Sequence, residues 1–528
     1  MSAANDVPLT PLSFLRRNAD VFGAKTGVIA GDGAPVTWAE LCGEADRLAD
    51  AFRAHGVGAG ERVAMLARNT VDLLAAHYGV PGAGAVLMAL NTRLAPEEYA
   101  AILDDGDARV LLLDPFYADL IAPVVDRLDV DVVVALDGDV QGAMTDLTDV
   151  GYGEWVDAAP SSGGMTPPVD ERAPITVNYT SGTTGQPKGA LYTHRGAYLN
   201  AMGLAVQMRL TADSTYLWTL PMFHCNGWCF TWAVTVVAGT HVCLPRFDAV
   251  TALELAVEHR VTHLCGAPVV LNDMAAAGEG VDLSHGVVAA TGGAPPTPRV
   301  IETMRSMGVE VVHLYGLTET YGPSTICEPQ PGWAGLNAGE YARMTARQGV
   351  RTVNVEGVRV VDDAMADVPD DGRTMGEIVV RSNTVTAGYL NAPEATEQAL
   401  AGGWFHTGDL AVMHPDGYLE IKDRSKDIII SGGENVSSIE VENTLAAHPA
   451  VSEVAVVAAP HQRWGEVPIA FVALRSGEEA TEEQLITFVR DRLAHFKAPK
   501  AVRFTELPKT STGKVQKYTL RRQVTESG

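Results

Sequence analysis

The stretch Tyr179-Thr180-Ser181-Gly182-Thr183-Thr184-Gly185-Gln186-Pro187-Lys188-Gly189 constrains this chain more than any other. It is a run of hydroxyls and glycines with a single lysine. It follows directly on the apolar Ile175-Thr176-Val177-Asn178-Tyr179, which reads as a strand. Glycines let a backbone approach an anion closely with its N–H groups turned inward. The hydroxyls add donors and the lysine adds a point charge. A loop of this make-up, hung from a sheet edge, is suited to holding phosphates. It is not a Walker A loop, because it lacks a Gly-Lys-Ser or Gly-Lys-Thr end and Pro187 directly precedes Lys188. A flexible surface linker is the plain alternative, but linkers seldom follow an apolar strand directly or end in Pro-Lys-Gly.

A chain of 528 residues is too long for one hydrophobic core, so at least two domains are expected. Thr37 is placed to cap a helix whose Leu41, Ala45, Leu48, Ala49 and Phe52 recur at helical spacing. Strands are expected at 62–66, 85–90 and 110–113, with helices at 71–78 and 96–103 between them. Such alternation predicts an α/β fold with a mainly parallel sheet covered by helices on both faces. Residues 137–172, rich in Asp, Gly, Pro and Ser, read as a connecting segment, and a second alternating series runs from about 175 to 328.

A boundary is expected at Asp423-Arg424-Ser425-Lys426-Asp427, dividing a large first domain, 1–425, from a small α+β domain, 426–528. In the small domain Ser437 and Glu440 have capping-box spacing for a helix running to about Ala447. Strands near 451–458 and 469–474 and a helix at 482–493 complete it.

The net charge of −26 argues against nucleic acid and anionic membrane surfaces as partners. One local exception is the basic set Arg490, Arg492, Lys497, Lys500, Arg503, Lys509, Lys514, Lys517, Arg521 and Arg522, which could be a solvated face or a surface that meets a phosphate-bearing ligand. The cysteines Cys42, Cys225, Cys229, Cys243, Cys265 and Cys327 form no Cys-x-x-Cys pair and read as buried free thiols of a reducing cytoplasm. Cys225 and Cys229 have no matching His/Cys pair at zinc spacing. No signal peptide is expected, since no basic region followed by an apolar stretch opens the sequence, and no membrane span, since the most apolar segment, 225–244, contains Asn226, Gly239 and His241.

Further segments carry chemistry. In His313-Leu314-Tyr315-Gly316-Leu317-Thr318-Glu319-Thr320 an aromatic, a hydroxyl and a carboxylate fall at an expected strand end, where open α/β sheets bind ligands. A ring can stack on a base, a hydroxyl can bind a phosphate, and a carboxylate can hold Mg²⁺ together with phosphate oxygens. Asp409, in Trp404-Phe405-His406-Thr407-Gly408-Asp409, reads by itself as a turn former. Lys514, in Pro508-Lys509-Thr510-Ser511-Thr512-Gly513-Lys514, reads by itself as an exposed lysine on a polar turn.

Together these motifs resemble the adenylate-forming superfamily, which includes acyl-CoA synthetases, peptide-synthetase adenylation domains and luciferases. The resemblance spans nearly the whole chain. It implies that Thr180, Ser181, Gly182, Thr183, Thr184, Gly185 and Lys188 hold the β- and γ-phosphates of ATP. It implies that Gly292, Gly293, Ala294 and Pro295 form the adenine-side loop, with Tyr315 and Gly316 on the base, Thr318 on the α-phosphate, and Glu319 with Thr184 on Mg²⁺. Asp409 is implied to accept from both ribose hydroxyls, with Arg424 completing that grip. Lys514 is implied to bridge the acyl carboxylate and the α-phosphate, offsetting charge as one anion attacks another. Lys426 takes the hinge position.

The acyl pocket is expected at Pro221-Met222-Phe223-His224-Cys225-Asn226-Gly227-Trp228, with His224, Asn226, Trp228, Gly292 and Gly316 around the acid. Met222, Trp232 and the turn Gly266-Ala267-Pro268 are expected to line it. Read alone, His224 could equally be a satisfied core histidine. Amino-acid-activating relatives carry an aspartate at its position, so an amino-acid substrate is disfavoured. The wording most resembles short- and medium-chain or aryl acyl-CoA ligases, including methylmercaptopropionate-CoA ligases.

The implied activity is that of an acid–thiol ligase using ATP, Mg²⁺ and CoA. A carboxylic acid (aliphatic, aryl or bulky cyclic) becomes an acyl-adenylate and is then passed to CoA. Gly432, Gly433 and Trp464 are candidates for contacting CoA. Alternatives are delivery to an acyl carrier protein or a separate transferase, luciferase-like oxygen chemistry, and a binding protein without turnover. A homodimer is the assembly entertained.

Overall fold

The computed structural model describes residues 4–136, 144–180, 187–294, 296, 298–431, 434–509 and 515–525. The chain divides into two compact units, residues 1–358 with 380–405 and residues 359–379 with 406–528.

In the first unit the βα alternation produces two large sheets. One has seven strands in the order Val150–Gly151, Val132–Ala135, Ala108–Leu113, Arg62–Leu66, Val86–Ala89, Pro174–Thr180 and Lys188–Thr193. All its neighbours are parallel except the last two, which form an antiparallel hairpin at the edge. The other has nine strands, with a parallel interior that includes Val287–Thr291 and Val309–Leu317 and an antiparallel neighbour, Gly322–Ile326, beyond them. The strands Arg62–Leu66 and Ala108–Leu113 are buried except at Arg62 and Arg109, because helices cover both faces of a parallel sheet.

The local signals explain the elements. Thr37 caps the helix Trp38–Ala54 through a reciprocal capping box with Glu40. Thr70 caps Val71–Gly82, and Pro96 opens Pro96–Gly106. The expected connecting segment is not wholly irregular, because it contains the helix Tyr152–Asp157. There Trp155 meets Phe52 edge-on and stacks on His55, so three buried residues, Tyr152, Trp155 and Val156, outweigh the polar composition around them.

The second unit holds most of a four-stranded sheet, Gly357–Val361, Met375–Arg381, Phe405–Met413 and Leu419–Arg424. It also holds a five-stranded sheet centred on the long hairpin Val451–His461 and Gly465–Leu474. Ser437 accepts from the Glu440 amide at the start of the helix Ser438–Ala446, while the Glu440 carboxylate pairs with Lys497. The compact division therefore lies ahead of residue 425, since the strands on either side of Asp409 group with the later part of the chain.

Candidate active site

In the first unit the expected phosphate loop is closed at its base by Thr180 and Lys188, which face each other across the edge hairpin. Ser181, Gly182, Thr183, Thr184, Gly185 and Gln186 lie outside the described residues. The segment Thr386–Leu390 runs along the hairpin's outer strand. Leu390 N donates to Gly189 O at 2.8 Å, and Leu191 N donates to Gly388 O at 3.0 Å. That pairing brings the Tyr389 ring beneath the Lys188 ammonium, 5.3 Å from it.

The strand Val309–Leu317 ends in a single 3₁₀ turn, Thr318–Thr320. Thr386 N donates to Glu319 O at 2.7 Å, and Tyr192 Oη donates to Thr318 O at 2.7 Å. Tyr389 Oη donates to Glu319 Oε1 at 2.8 Å. Burial, reinforced by the Glu319 charge, pushes the Tyr389 phenol well above its usual range, so it stays a donor. Lys188 and Glu319, candidates drawn from separate motifs, thus meet at Tyr389, a residue that no motif marks, while Thr318 is held by Tyr192 and Cys225. The pair Gly388-Tyr389 carries no period or spacing signal. Tyr315 is buried in its strand. A Cβ on Gly316 would collide with the Gly322 carbonyl.

Gly292 follows the strand Val287–Thr291. A Cβ there would lie 2.9 Å from Leu314 O and 3.2 Å from the Trp228 ring, so the indole packs directly on the glycine. Gly293 has φ 86°, a left-handed value. Ala294 is exposed, and Pro295 lies outside the described residues.

The acyl segment adopts an uncommon backbone. Cys225, Asn226, Gly227, Trp228 and Cys229 have φ of 45°, 44°, 58°, 47° and 70°, a left-handed turn in which only one residue is glycine. Each non-glycine residue there costs about 1–2 kcal/mol relative to the right-handed form. Such a turn persists only if its surroundings hold it. Asn69 holds the approach: its Oδ1 accepts from Met222 N at 2.8 Å, and its Nδ2 donates to Trp218 O and Leu220 O at 3.0 Å.

Asn226 holds the turn itself. Its Oδ1 accepts from Thr176 Oγ1 at 2.6 Å and from Asn178 Nδ2 at 2.5 Å, and its own amide donates to Asn178 Oδ1 at 3.2 Å. Its Nδ2 donates to His77 Nε2 at 2.9 Å, while His77 Nδ1 donates to Leu73 O at 2.6 Å. Burial holds His77 down at about 4, so it is the neutral acceptor this geometry requires.

His224 is half-buried just before the turn, and Trp228 N donates to His224 O at 3.2 Å. Cys225 Sγ lies 3.5 Å from Thr318 Oγ1 as a donor. Met222 and Trp232 are wholly buried, with Trp232 packed edge-on against His77 and Tyr321, so they back the segment rather than present a surface.

In the second unit Asp409 sits in a strand rather than a turn. It is buried, directly opposite Arg424, with Arg424 Nε 3.2 Å from Asp409 Oδ1. Glu377, which belongs to no motif, accepts from Gly408 N at 2.9 Å and binds His406 Nδ1 at 2.8 Å, which fixes the backbone just before Asp409. Lys426 is exposed on the turn between Leu419–Arg424 and Ile429–Ser431. Trp464 is exposed at a hairpin tip under the Arg463 guanidinium. Gly432, Gly433 and Lys514 lie outside the described residues.

Lys497, Lys509, Lys517 and Arg521 of the basic set form ion pairs with Glu440, Glu453, Glu442 and Asp427, so much of that charge is answered within the unit. All six cysteines are free and buried, and burial pushes the Cys42 thiol up to about 11 and those of Cys225 and Cys265 up to about 12. Among the described residues no cluster of three metal-ligating side chains occurs, and no helix is long and apolar enough to cross a membrane.

Two compact units, one ending a strand in a hydroxyl–carboxylate pair beside the edge hairpin of Pro174–Thr180 and Lys188–Thr193, define a protein of mixed α/β class. The chain belongs to the AMP-binding enzyme family: that family's model matches residues 15–390, and the model of its C-terminal domain matches residues 440–514. The chain is 44% identical to acetate–CoA ligase CCL3 of Humulus lupulus over 100% of its own length and 96% of that protein's. It is 42% identical to the peroxisomal acetate/butyrate–CoA ligase AAE7 of Arabidopsis thaliana, over 99% and 96% of the two chains. The crystal structure of ATP-bound MatB from Rhodopseudomonas palustris superposes with a TM-score of 0.84 at 28% identity, covering 97% of this chain and 98% of that one.

Proposed function

We infer that this chain is an AMP-forming ligase that joins a small aliphatic carboxylic acid to CoA. The observation that carries this reading is the meeting of Lys188 and Glu319 at Tyr389, in a chain alike over its whole length to acid–CoA ligases. In the first half-reaction a carboxylate oxygen of the acid attacks the α-phosphorus of ATP. The bond to the bridging oxygen breaks, and pyrophosphate leaves with its electron pair. Lys188 offsets charge on the departing phosphates. Thr318 accepts from the Cys225 thiol, which leaves its own proton to donate to an α-phosphate oxygen. Lys514 orients the two anions. This is positioning and electrostatics, the usual route at phosphorus.

Mg²⁺ fits Glu319: a hard carboxylate, held on one oxygen by Tyr389, is the kind of protein ligand that this ion takes beside substrate phosphates. When bound it supplies charge neutralisation to the phosphates. Thr184 is the second residue assigned to it. The hydroxyls and glycines of 180–185 cradle the phosphates, and Gly293, Ala294, Pro295 and Tyr315 serve the base. Asp409 and Arg424 serve the ribose.

In the second half-reaction the CoA thiolate attacks the acyl carbonyl carbon and AMP leaves. Lys426 acts as the hinge for that step, with Gly432, Gly433 and Trp464 toward the pantetheine. The small-acid preference is supported by the bulk of Trp228 lying against Gly292, two of the residues expected around the acid, and by relatives named for acetate and butyrate. A cytoplasmic location is supported by the unpaired thiols, and imaging of the tagged protein tests it against the peroxisome.

The test is pyrophosphate release across aliphatic, aryl and bulky cyclic acids, with and without CoA. Release with short acids and thioester only in the presence of CoA is expected. Adenylate without thioester would move the acceptor to a carrier protein, and silence across the panel would remove the reading.

A further inference from the structure

The left-handed turn Cys225–Cys229 and the phosphate-loop strand Pro174–Thr180 are joined by one buried, uncharged side chain. Asn226 is wholly inaccessible, as are His77 and Thr176, and Asn178 is nearly so. Both oxygen contacts of Asn226 run to the strand that enters the phosphate loop two residues later, and its nitrogen contact runs to the helix Val71–Gly82. The turn carries His224 at its start and Trp228 near its end. Any slip of the turn against the strand therefore moves the acid-side residues relative to the phosphate-side ones.

Resting on the ligase reading above, we propose that Asn226 is a positioning residue: through His77, Thr176 and Asn178 it locks the left-handed turn to the phosphate-loop strand and so sets where the acid's carboxylate lies relative to the α-phosphate. Asn226 makes no contact with the acid. The donor sequence is fixed throughout. Leu73 O accepts from the His77 Nδ1–H, which leaves Nε2 to accept from Asn226 Nδ2. That orients the amide so that its oxygen faces Thr176 and Asn178. A chain of neutral groups suits a site between two anions, because it fixes geometry without adding charge.

His77 tests this because it lies one hydrogen bond behind Asn226. His77→Leu removes the acceptor and strands the Asn226 amide, whereas His77→Gln supplies an oxygen in its place. His77→Leu should speed amide hydrogen exchange in 224–229 by about tenfold or more while leaving strands 62–66 and 108–113 unchanged. In the reaction it should raise the acid's KM by about tenfold and leave the KM for ATP within about threefold. His77→Gln should return both readouts most of the way.

Unchanged exchange in a folded His77→Leu protein overturns the proposal, as does an equal rise in both KM values or equal damage from Leu and Gln. If His77→Leu does not fold, Thr176→Val, which removes one donor to Asn226 Oδ1, carries the same comparison at a smaller size. A wild-type protein that releases no pyrophosphate would remove the ligase reading, while hydrogen exchange would still decide whether the relay holds the turn.

Discussion

The phosphate side and the acid side of the first unit are built by opposite means. Around Tyr389 the groups are ionic and half-exposed: a lysine over the ring and a carboxylate on the phenol, both at the ends of strands. Around Asn226 every group is neutral and buried, and what is held is a strained backbone rather than a charge. Charge suits a mobile polyanion, which it attracts from a distance. A small acid offers little to grip, so its site has to be defined by shape, and shape in turn needs a rigid backbone.

The difference is sharpest under acid. Burial lowers His77, His194 and His313 to about 4 and His241 to about 3, all in the first unit. Each folded value lies below the unfolded one of about 6.5, so the unfolded chain binds more protons as pH falls. Stability is then complete above about pH 6.5 and is lost as pH drops toward 4, by as much as about 5 kcal/mol per pH unit for four such groups. Urea unfolding at pH 7, 6 and 5 checks this. A midpoint independent of pH would mean that the interior of the unit is not held by neutral imidazoles.

Among single substitutions the largest effect is expected from Lys514→Ala, on the ligase reading proposed above. Loss of a positioned cation should slow adenylate formation by about 10²–10³-fold yet spare thioester formation from supplied acyl-adenylate. Equal loss in both assays refutes the role. Glu319→Gln keeps the Tyr389 contact but removes the charge. It should raise the Mg²⁺ concentration needed for half-maximal rate by about tenfold or more, and an unchanged requirement would take Glu319 out of the metal site.

The same contrast governs what the sequence reveals. The ionic cluster left local signals: Lys188 and Glu319, which the fold brings to one tyrosine, stand in the short runs Thr180 to Lys188 and Tyr315 to Glu319. Each run carries unusual chemistry within a few positions. The βα alternation is legible for the same reason, since period and caps are local. The acid side is not. In sequence Asn226 reads as a pocket residue, but its partners His77, Thr176 and Asn178 come from two distant elements, and nothing in an isolated asparagine tells a ligand contact from a core bond. The left-handed φ values of Cys225, Trp228 and Cys229 are equally invisible, because those residue types do not favour that conformation. Tyr389 leaves no mark in the sequence because pairing along a strand edge, rather than a motif, brings it to Glu319.

Gly292→Ala probes the shape side directly. The new methyl has backbone on one side, Leu314 O at 2.9 Å, and the Trp228 ring on the other at 3.2 Å. The carbonyl is fixed in a strand, so the ring must give way, and the ligase reading counts Trp228 among the residues around the acid. Catalytic efficiency should fall by about tenfold for a four-carbon acid and less for acetate, with the KM for ATP little changed. A loss independent of acid length would place Gly292 away from the acyl chain.

The smallest effect belongs to Tyr389→Phe, and it separates the two parts of the ionic cluster. The ring survives, so its contact with Lys188 is kept, and only the bond to Glu319 is lost. One hydrogen bond on a half-exposed carboxylate is worth about 1 kcal/mol, or about fivefold in the Mg²⁺ requirement. Tyr389→Leu removes the ring as well and should weaken ATP binding further, through Lys188. If Phe and Leu were equally impaired, the phenol alone would matter and the lysine would be placed by other contacts. If Phe were silent, Glu319 would be held by its backbone bond to Thr386 alone, and the ionic side would prove as dependent on backbone shape as the side that receives the acid.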